Sequence, residues 1–303
     1  HPSFTGAAGG ENYVYVSYVH TWLGGVAYTN RIVRFLYNPS TNRLESPVSI
    51  CDTIPGSGDH NSQRMIITPM TPSGSDYYLF YAAGDMGAGQ QFPTAANITR
   101  PQKAQVRNSY EGKILRFALS DTCSGSGNQK WIPATNRYND VAPIVGKSAV
   151  WCTGMRNNQG FAYNPELNIL YGASHGAFSD DEINIIEGFK NYGHPLIVGY
   201  ADGNYNGTAT PGSPTSISAG VPYGWTGGAY TVDGQAAAAG TCPPIVNEVT
   251  NMNNINANAL LYGAYKDPLF SAYPGTGAGT VSSIWSAANT PGNAGWHSEG
   301  WSG

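Results

Sequence analysis

The chain carries three short segments whose side chains could do chemistry, and the first is the pair Asp59-His60. The pair stands just before a strand-like apolar run that starts at Met65. An imidazole titrates near neutral pH and an adjacent carboxylate would support its cationic form, so His60 is a candidate general base. The other interpretation of the same pair is an ordinary turn that contains a hydrogen-bonded histidine.

The second segment is Arg156-Asn157, followed by Gln159-Gly160. A guanidinium and an amide at the entrance to a strand suit a flat ligand rich in oxygen atoms, because arginine offers donors in one plane. The competing interpretation is an exposed arginine that pairs with a surface carboxylate.

The third segment, residues 175–184, contains the adjacent carboxylates Asp180, Asp181 and Glu182. Adjacent carboxylates repel one another unless water or a cation neutralises them. Calcium accepts carboxylate and carbonyl oxygens in a flexible shell, so the segment predicts a calcium site. A hydrated acidic turn explains the same residues without a metal. Residues 84–87, Gly-Asp-Met-Gly, would line the same site as these segments, but taken alone they predict only a turn.

The scaffold that would position these segments is predicted from short alternating apolar runs separated by turn residues. The runs recur in irregular sets, each with short strands, a Pro or Asn turn and an outer strand after a longer loop. Repeated antiparallel units of this kind predict an all-β fold, a β-propeller whose loops gather at one end. A β-sandwich is the alternative, since alternation alone does not separate the two. The predicted strands cover residues 13–19, 31–37, 65–67, 77–81, 113–119, 160–163, 168–171 and 182–186.

The pattern weakens towards the C-terminus, and residues 208–303 are predicted to be rich in loops. Only residues 259–262 and 281–285 look like strands there, and helix is nearly absent by pattern. The four cysteines, Cys51, Cys123, Cys152 and Cys242, lack the spacing of a metal site. One or two disulfides would be compatible with them, and the sequence does not choose a pairing.

Composition excludes two classes of function. A net charge of -4 with only 11% charged residues gives no basic field for nucleic acid. No apolar run approaches the roughly 20 residues needed to cross a bilayer. The low charge and the few lysines predict an exported protein, secreted or periplasmic. Sequons at Asn97 and Asn206 predict a glycoprotein if the export pathway glycosylates.

In order and spacing, these segments resemble the soluble glucose and aldose-sugar dehydrogenases that depend on pyrroloquinoline quinone (PQQ). The resemblance runs from His1 to about Gly207 and is strongest in residues 59–67, 110–119 and 156–200. It implies a six-bladed β-propeller, of which this chain supplies roughly four blades as one domain over residues 1–303, incomplete at both ends. It also implies a secreted quinoprotein that binds PQQ and calcium and oxidises an aldose at its anomeric carbon. Hydride would pass to PQQ and the electrons to an external acceptor, and a homo-oligomer is compatible with this class.

The resemblance also implies roles for individual residues. His60 would be the catalytic base, and Asp59 would orient it and contact the sugar. The cofactor would be bound by Arg156, Asn157 and His175. The remaining implied positions are Gly176 and Ala177 as carbonyl ligands of a calcium at the cofactor, Glu182, Tyr192 and Asp202 as ligands of a second, structural calcium, and Met86 and Trp285 as sugar contacts.

Several departures from the family pattern keep other functions open. Met86 stands where glucose-oxidising members have a glutamine, and His175 replaces another glutamine. The lysine and arginine that clamp the PQQ carboxylates belong to blades absent from this sequence, so the chain is either part of a longer polypeptide or a propeller that closes differently and lacks the active site. One alternative is a non-catalytic extracellular propeller with a carbohydrate-binding or structural role. A further alternative is a hydrolase that uses Asp59 and His60 with calcium.

Overall fold

The structure is a computed structural model that describes residues 1–25, 27–69, 76–87, 103–141, 144–176, 180–204, 208–209, 244–245 and 247–272. Strands dominate these residues, and all but one of the strand pairs are antiparallel. Three sheets of three or four strands follow one another along the chain.

The first sheet is an antiparallel meander of three long strands. Its strands are β1 (Tyr13–Trp22), β2 (Ala27–Asn38) and β3 (Arg43–Pro55), in that spatial order. Ile32 and Ile54 are fully buried on one face, while most of β3 is exposed. The sequence pattern missed β3 because Pro47 and the exposed polar positions interrupt its apolar alternation.

The second and third sheets each contain four strands. The second has the order β4 (Ser62–Pro69), β5 (Tyr77–Ala83), β6 (Lys113–Ala118), β7 (Val150–Cys152). The third has β8 (Asn158–Asn164), β9 (Ile169–Ser174) and β10 (Asp181–Ile185), and the distant strand β15 (Phe270–Ala272) pairs with the outer edge of β10.

The core has two layers, because the second sheet lies between the other two. Leu79 and Tyr81 of β5 belong to an apolar cluster shared with the first sheet. Phe80 and Ala82 alternate with them and belong to a cluster shared with the third sheet. Successive side chains of a strand point to opposite faces, so β5 contributes to both layers. The three sheets therefore pack face to face in chain order, as blades do.

The described part of the region after residue 208 contains two helices, although the sequence pattern predicted almost no helix and a strand at residues 259–262. Helix α1 (Glu248–Ala257) is capped by the Asn247 side chain, which accepts a hydrogen bond of 2.8 Å from Thr250 N. Helix α2 (Ala259–Tyr262) covers the segment predicted to be a strand, so that prediction is wrong. A four-residue apolar run does not distinguish the two states. The second strand predicted there, residues 281–285, lies outside the described residues.

Short strand pairs complete the architecture. Strand β11 (Lys190–Asn191) pairs in parallel with β14 (Ala264–Tyr265), and β12 (Thr208–Ala209) pairs with β13 (Pro244–Ile245). None of the helices in the described part of the chain has the length and apolar character that spanning a bilayer requires. Cys51, Cys123 and Cys152 are free thiols, and Cys242 lies outside the described residues.

Candidate active site

His60 lies in the loop between β3 and β4, two residues before β4 begins. His60, Ser62 and Gln63 all have positive φ, of 48°, 57° and 64°, a conformation that residues other than glycine rarely adopt. The pairing of β4 with β5 is irregular directly after this loop, between Ser62 and Met65. Strain of this kind persists where the surrounding structure holds it, and it is concentrated at functional sites.

Asp85, at the end of β5, binds the His60 imidazole. His60 Nδ1 lies 2.7 Å from Asp85 Oδ1, and the backbone N–H of Gly87 donates to the same oxygen over 3.1 Å. The other carboxylate oxygen, Oδ2, lies 3.1 Å from Nε2 of His194. One buried carboxylate thus bridges two histidines from distant parts of the chain.

Asp85 is ionised in this position. Burial alone would raise the pKa of the Asp85 carboxyl, but the contacts with His60 and His194 outweigh burial and hold the pKa well below its usual range. An ionised carboxylate only accepts hydrogen bonds, so Nδ1 of His60 carries the proton in this contact. With Nδ1 as the donor, Nε2 is the nitrogen that would accept a proton when the His60 ring is neutral.

Asp59 contacts His60 differently from the predicted arrangement. Its Oδ1 accepts a 2.8 Å hydrogen bond from the backbone N–H of His60, and its own N–H donates to Ser57 Oγ. The contact therefore fixes the loop backbone, whereas Asp85 orients the imidazole ring. The sequence pattern predicts only a turn around Asp85. The signal that could have marked Asp85 as a candidate site residue is its place two residues after the end of the buried strand β5.

Arg156, in the segment between β7 and β8, contacts the backbone of Asp85. Its backbone carbonyl accepts a 2.8 Å hydrogen bond from Asp85 N. Its side-chain Nη1 donates to the carbonyls of His175 and Gly176 over 3.0 and 2.6 Å, and lies 3.2 Å from His175 Nδ1. The structure therefore brings His60, Arg156 and His175 together, and the rings of the two histidines lie 6.5 Å apart between centroids.

The Arg156 guanidinium is a buried charge. Its residue is only 7% exposed, and no carboxylate of the described residues lies within 4.0 Å of its nitrogens. Burial lowers the pKa of Arg156, and the more distant carboxylates of Asp85 and Asp181 oppose this shift. Asn157 lies beside it, with its Oδ1 accepting a 2.8 Å hydrogen bond from Ser62 Oγ.

The three adjacent carboxylates make separate contacts. Asp180 Oδ1 accepts from Ser271 Oγ over 2.6 Å, and Asp181 Oδ1 accepts from Gly176 N over 2.6 Å. Glu182 Oε2 accepts from Asn184 Nδ2 over 2.8 Å. Burial, reinforced by Asp180, raises the pKa of the Glu182 carboxyl to about 8. A cation bound beside Glu182 would favour the ionised form of this carboxyl.

The side chains of Tyr192 and Asp202, the other positions of the predicted second calcium site, make hydrogen bonds of their own. The Tyr192 hydroxyl donates to Ile185 O over 2.6 Å and accepts from Glu187 N, while Asp202 is exposed and binds Asn204. Across the described ranges, no group of three or more His, Cys, Asp or Glu side chains is arranged to hold a metal ion.

Three remaining predicted positions have different outcomes. Met86 is fully buried and packs in the apolar cluster between the first and second sheets. Ala177 and Trp285 lie outside the described residues. His194, which sequence reasoning assigned no role, is part of the site.

Successive antiparallel sheets, with an imidazole, a carboxylate and a guanidinium at their ends, define an all-β protein with an enzyme-like site. Residues 1–238 match the family model described as Glucose / Sorbosone dehydrogenase. The chain belongs to this glucose/sorbosone dehydrogenase family. Membership confirms the resemblance seen in the sequence, and together with the sheet arrangement it confirms the β-propeller fold class.

Two curated relatives show the extent of the similarity. Quinoprotein glucose dehydrogenase B of Acinetobacter calcoaceticus is 33% identical over 220 residues, which cover 65% of this chain and 42% of that protein. Aldose sugar dehydrogenase YliI of Escherichia coli K12 is 34% identical over 144 residues, covering 48% of this chain and 32% of that protein. The chain therefore spans less than half the length of the curated relatives it matches.

Solved structures also align with the chain. The soluble aldose sugar dehydrogenase of Escherichia coli in its apo-form aligns over 77% of this chain and 53% of its own, with 23% identity and a TM-score of 0.48. The PQQ-bound aldose sugar dehydrogenase of Streptomyces coelicolor aligns over 77% of this chain and 62% of its own, with 25% identity and a TM-score of 0.45.

Proposed function

We propose that this chain forms part of an exported quinoprotein oxidoreductase that oxidises an aldose at its anomeric carbon. The observation that carries the proposal is the 2.7 Å contact of His60 Nδ1 with a buried, ionised Asp85. With the ring proton on Nδ1, the nitrogen of a neutral His60 that would take up a proton is Nε2, and a general base for a sugar hydroxyl requires such a nitrogen. The family and the names of the relatives supply the reaction class.

His60 would take the proton of the anomeric hydroxyl on Nε2 as the carbon–oxygen bond becomes a carbonyl. Asp85 would stabilise the imidazolium that forms, because the carboxylate already lies against Nδ1–H. PQQ, when bound, would supply the acceptor for the hydride that leaves the anomeric carbon. The two electrons would then pass to an external acceptor.

The residues present fit an anionic, flat cofactor such as PQQ. Arg156 offers a buried guanidinium that bonds backbone carbonyls but has no described carboxylate within ion-pair distance, and a buried charge is costly without a countercharge. Asn157 and His175 lie beside it and would complete the cofactor contacts.

We also propose calcium as a second requirement. Gly176 and Ala177 would supply carbonyl oxygens beside the cofactor, and Glu182, Tyr192 and Asp202 a second site. Support comes from the Glu182 carboxyl, whose pKa burial raises to about 8 and which a bound cation would return to its ionised form.

The test uses the full-length protein loaded with PQQ and calcium and follows reduction of a dye with a panel of aldoses. Reduction that needs both PQQ and sugar is expected, and His60→Ala should abolish it. His20→Ala, a histidine on β1 of the first sheet, is the matched control and should keep the rate. Sugar hydrolysis without PQQ would favour the hydrolase instead.

A non-catalytic carbohydrate-binding propeller is the second candidate. The observation that favours this candidate is the 2.6 Å hydrogen bond from Arg156 Nη1 to Gly176 O. In this arrangement the guanidinium has an acceptor and the carbonyl has a donor without any cofactor. Absence of dye reduction with every aldose, together with calorimetric sugar binding in the absence of PQQ, would favour this candidate.

A further inference from the structure

His194 is a buried histidine directed at the carboxylate that binds the candidate base. Its Nε2 lies 3.1 Å from Asp85 Oδ2, the oxygen that does not contact His60. Because Asp85 is ionised and only accepts, Nε2 of His194 carries the proton in this contact. The two imidazoles therefore hold the two oxygens of a single carboxylate.

The backbone around His194 is held from both sides. Its N–H donates to Gly154 O over 3.0 Å, and its carbonyl accepts from Gln105 Nε2 over 2.7 Å. Gln105 and Asn191 also form a reciprocal amide pair, with hydrogen bonds of 3.0 and 2.7 Å. These contacts fix the position of the His194 ring relative to Asp85.

We infer that His194 is a positioning residue: its Nε2–H fixes the plane of the Asp85 carboxylate, so that Oδ1 stays aimed at Nδ1–H of His60. This inference deepens the proposed function and rests on it for its kinetic consequence. Loss of the His194 donor would remove a contact that holds Oδ2, so the carboxylate could turn about its Cβ–Cγ bond and move its charge away from the axis of Nδ1–H of His60. His60 would then populate the tautomer with Nδ1 unprotonated, which cannot accept the substrate proton on Nε2.

The kinetic test compares three substitutions in the full-length, PQQ-loaded protein. His194→Phe keeps a ring but removes the donor, and kcat is expected to fall about 10- to 100-fold with KM changed by less than about threefold. His194→Gln can place an amide N–H near the position of Nε2 and should retain kcat to within about threefold. His194→Asn, whose amide is too short to reach that position, should behave like His194→Phe.

Two results would overturn the inference. One is a kcat of His194→Phe within about twofold of the wild-type value, and the other is equal loss in the Gln and Asn variants. His20→Phe serves as the control at a histidine of β1 outside the bridge formed by His60, Asp85 and His194, and far-UV circular dichroism confirms that each variant is folded. If the Phe variant does not fold, the Gln and Asn pair still separates a positioning role from simple space filling.

A second readout does not depend on turnover. In the wild-type protein the proton on His60 Nδ1 should resonate far downfield in the ¹H NMR spectrum, because it bonds to an ionised carboxylate over 2.7 Å. His194→Phe should shift this resonance upfield and speed its exchange with water, whereas His194→Gln should preserve it. An unchanged resonance in His194→Phe contradicts the inference. Lack of sugar oxidation by the wild-type protein would refute the proposed function alone, since the resonance still tests the bridge.

Discussion

Gly84 lies directly against the backbone carbonyl of His60. A Cβ atom at position 84 would stand 1.8 Å from His60 O and 2.8 Å from His60 C, far inside van der Waals contact. The end of β5 therefore determines where the His60 loop can sit, and Gly84 is needed at this position for close approach of two backbones.

Gly84→Ala should displace the His60 loop. The expected cost is about 1–3 kcal/mol in the free energy of unfolding. Misplacement of the base by about 1 Å should lower kcat about 100-fold. Urea denaturation and steady-state kinetics measure the two effects. Gly58→Ala is the matched control on the same loop, because a Cβ there meets no atom within 4 Å; equal effects of the two substitutions would argue against this role of Gly84.

Asp85→Asn should leave the volume of the site unchanged but remove the charge between the two histidines. The amide can donate a hydrogen bond to Nδ1 of His60 and so favour the wrong tautomer. A fall in kcat on the order of 10³-fold or more is expected in the PQQ-loaded protein. Asp59→Asn should have a much smaller effect, since Asp59 binds the backbone N–H of His60 rather than its ring. The reverse order of effects would restore Asp59 as the orienting residue.

Asp85 also predicts how stability depends on pH. Its pKa is lowered in the folded state, so its contribution to stability is fully present above the unfolded pKa, about 3.9, and is lost as the pH falls through the lower folded pKa. The free energy of unfolding should therefore decline steeply in acid for the wild-type protein and less steeply for Asp85→Asn. Denaturant titrations between pH 3 and pH 7 test this difference, and parallel curves would contradict it.

Lys113 should be indispensable for the loop that precedes β6. The residue is fully buried, and its ammonium donates to the carbonyls of Lys103, Ala104 and Glu111 over 2.9, 2.8 and 2.7 Å. Lys113→Met should lower the free energy of unfolding by about 2–5 kcal/mol, because it removes a buried charged donor that bonds three carbonyls at once.

The matched control for Lys113 is Lys130→Met, at an exposed lysine. It should change the free energy of unfolding by less than about 0.5 kcal/mol. Chemical denaturation of both variants checks the comparison, and similar stability of the two would show that the buried ammonium is replaceable.

The Glu182 carboxyl should make the free energy of unfolding depend on pH in the direction opposite to that expected for Asp85. Folding raises the pKa of the Glu182 carboxyl to about 8. The contribution of this carboxyl to the free energy of unfolding is therefore fully present below its unfolded pKa, about 4.3, and is lost as the pH rises through about 8. In EDTA at pH 8, the free energy of unfolding of Glu182→Gln should exceed that of the wild-type protein by about 1–3 kcal/mol. At pH 5 this gain should be smaller.

Two comparisons complete the Glu182 experiment. Glu166→Gln, at an exposed glutamate, should show no such gain. Calcium at pH 8 should stabilise the wild-type protein more than Glu182→Gln, since only the wild-type protein has the carboxylate that the cation would bind. Equal stabilisation of both proteins would remove Glu182 from the calcium site.

The strands of the scaffold were largely predictable because their apolar alternation is local. The run at Tyr77 became β5, and its alternate side chains enter two different apolar clusters. By contrast, α1 has the sequence EVTNMNNINA, in which asparagines obscure the helical period. Its N-terminus is fixed by tertiary contacts, as Glu248 accepts hydrogen bonds from Val198 N and Gly203 N. No local pattern could reveal those contacts.

The candidate site was predictable only for residues that stand in recognisable segments. His60 and Arg156 could be selected because their neighbours in sequence suggested chemistry. Asp85 and His194 could not be selected in this way, since the role of each depends on a contact with a residue distant in sequence. Met86 shows the converse, because a position that aligns with a sugar contact carries a side chain that folds into the core.

The bridge from His60 through Asp85 to His194 has a consequence for assembly. Strands within each sheet are joined mainly by nearby segments, but Asp85 and His194 lie 109 residues apart in sequence. Secondary structure can therefore form from short-range pairing, whereas the bridge closes only when the second sheet meets the segment after β11. On refolding from urea, the circular dichroism signal should recover first and the downfield imidazole proton last, so that this proton reports completed docking.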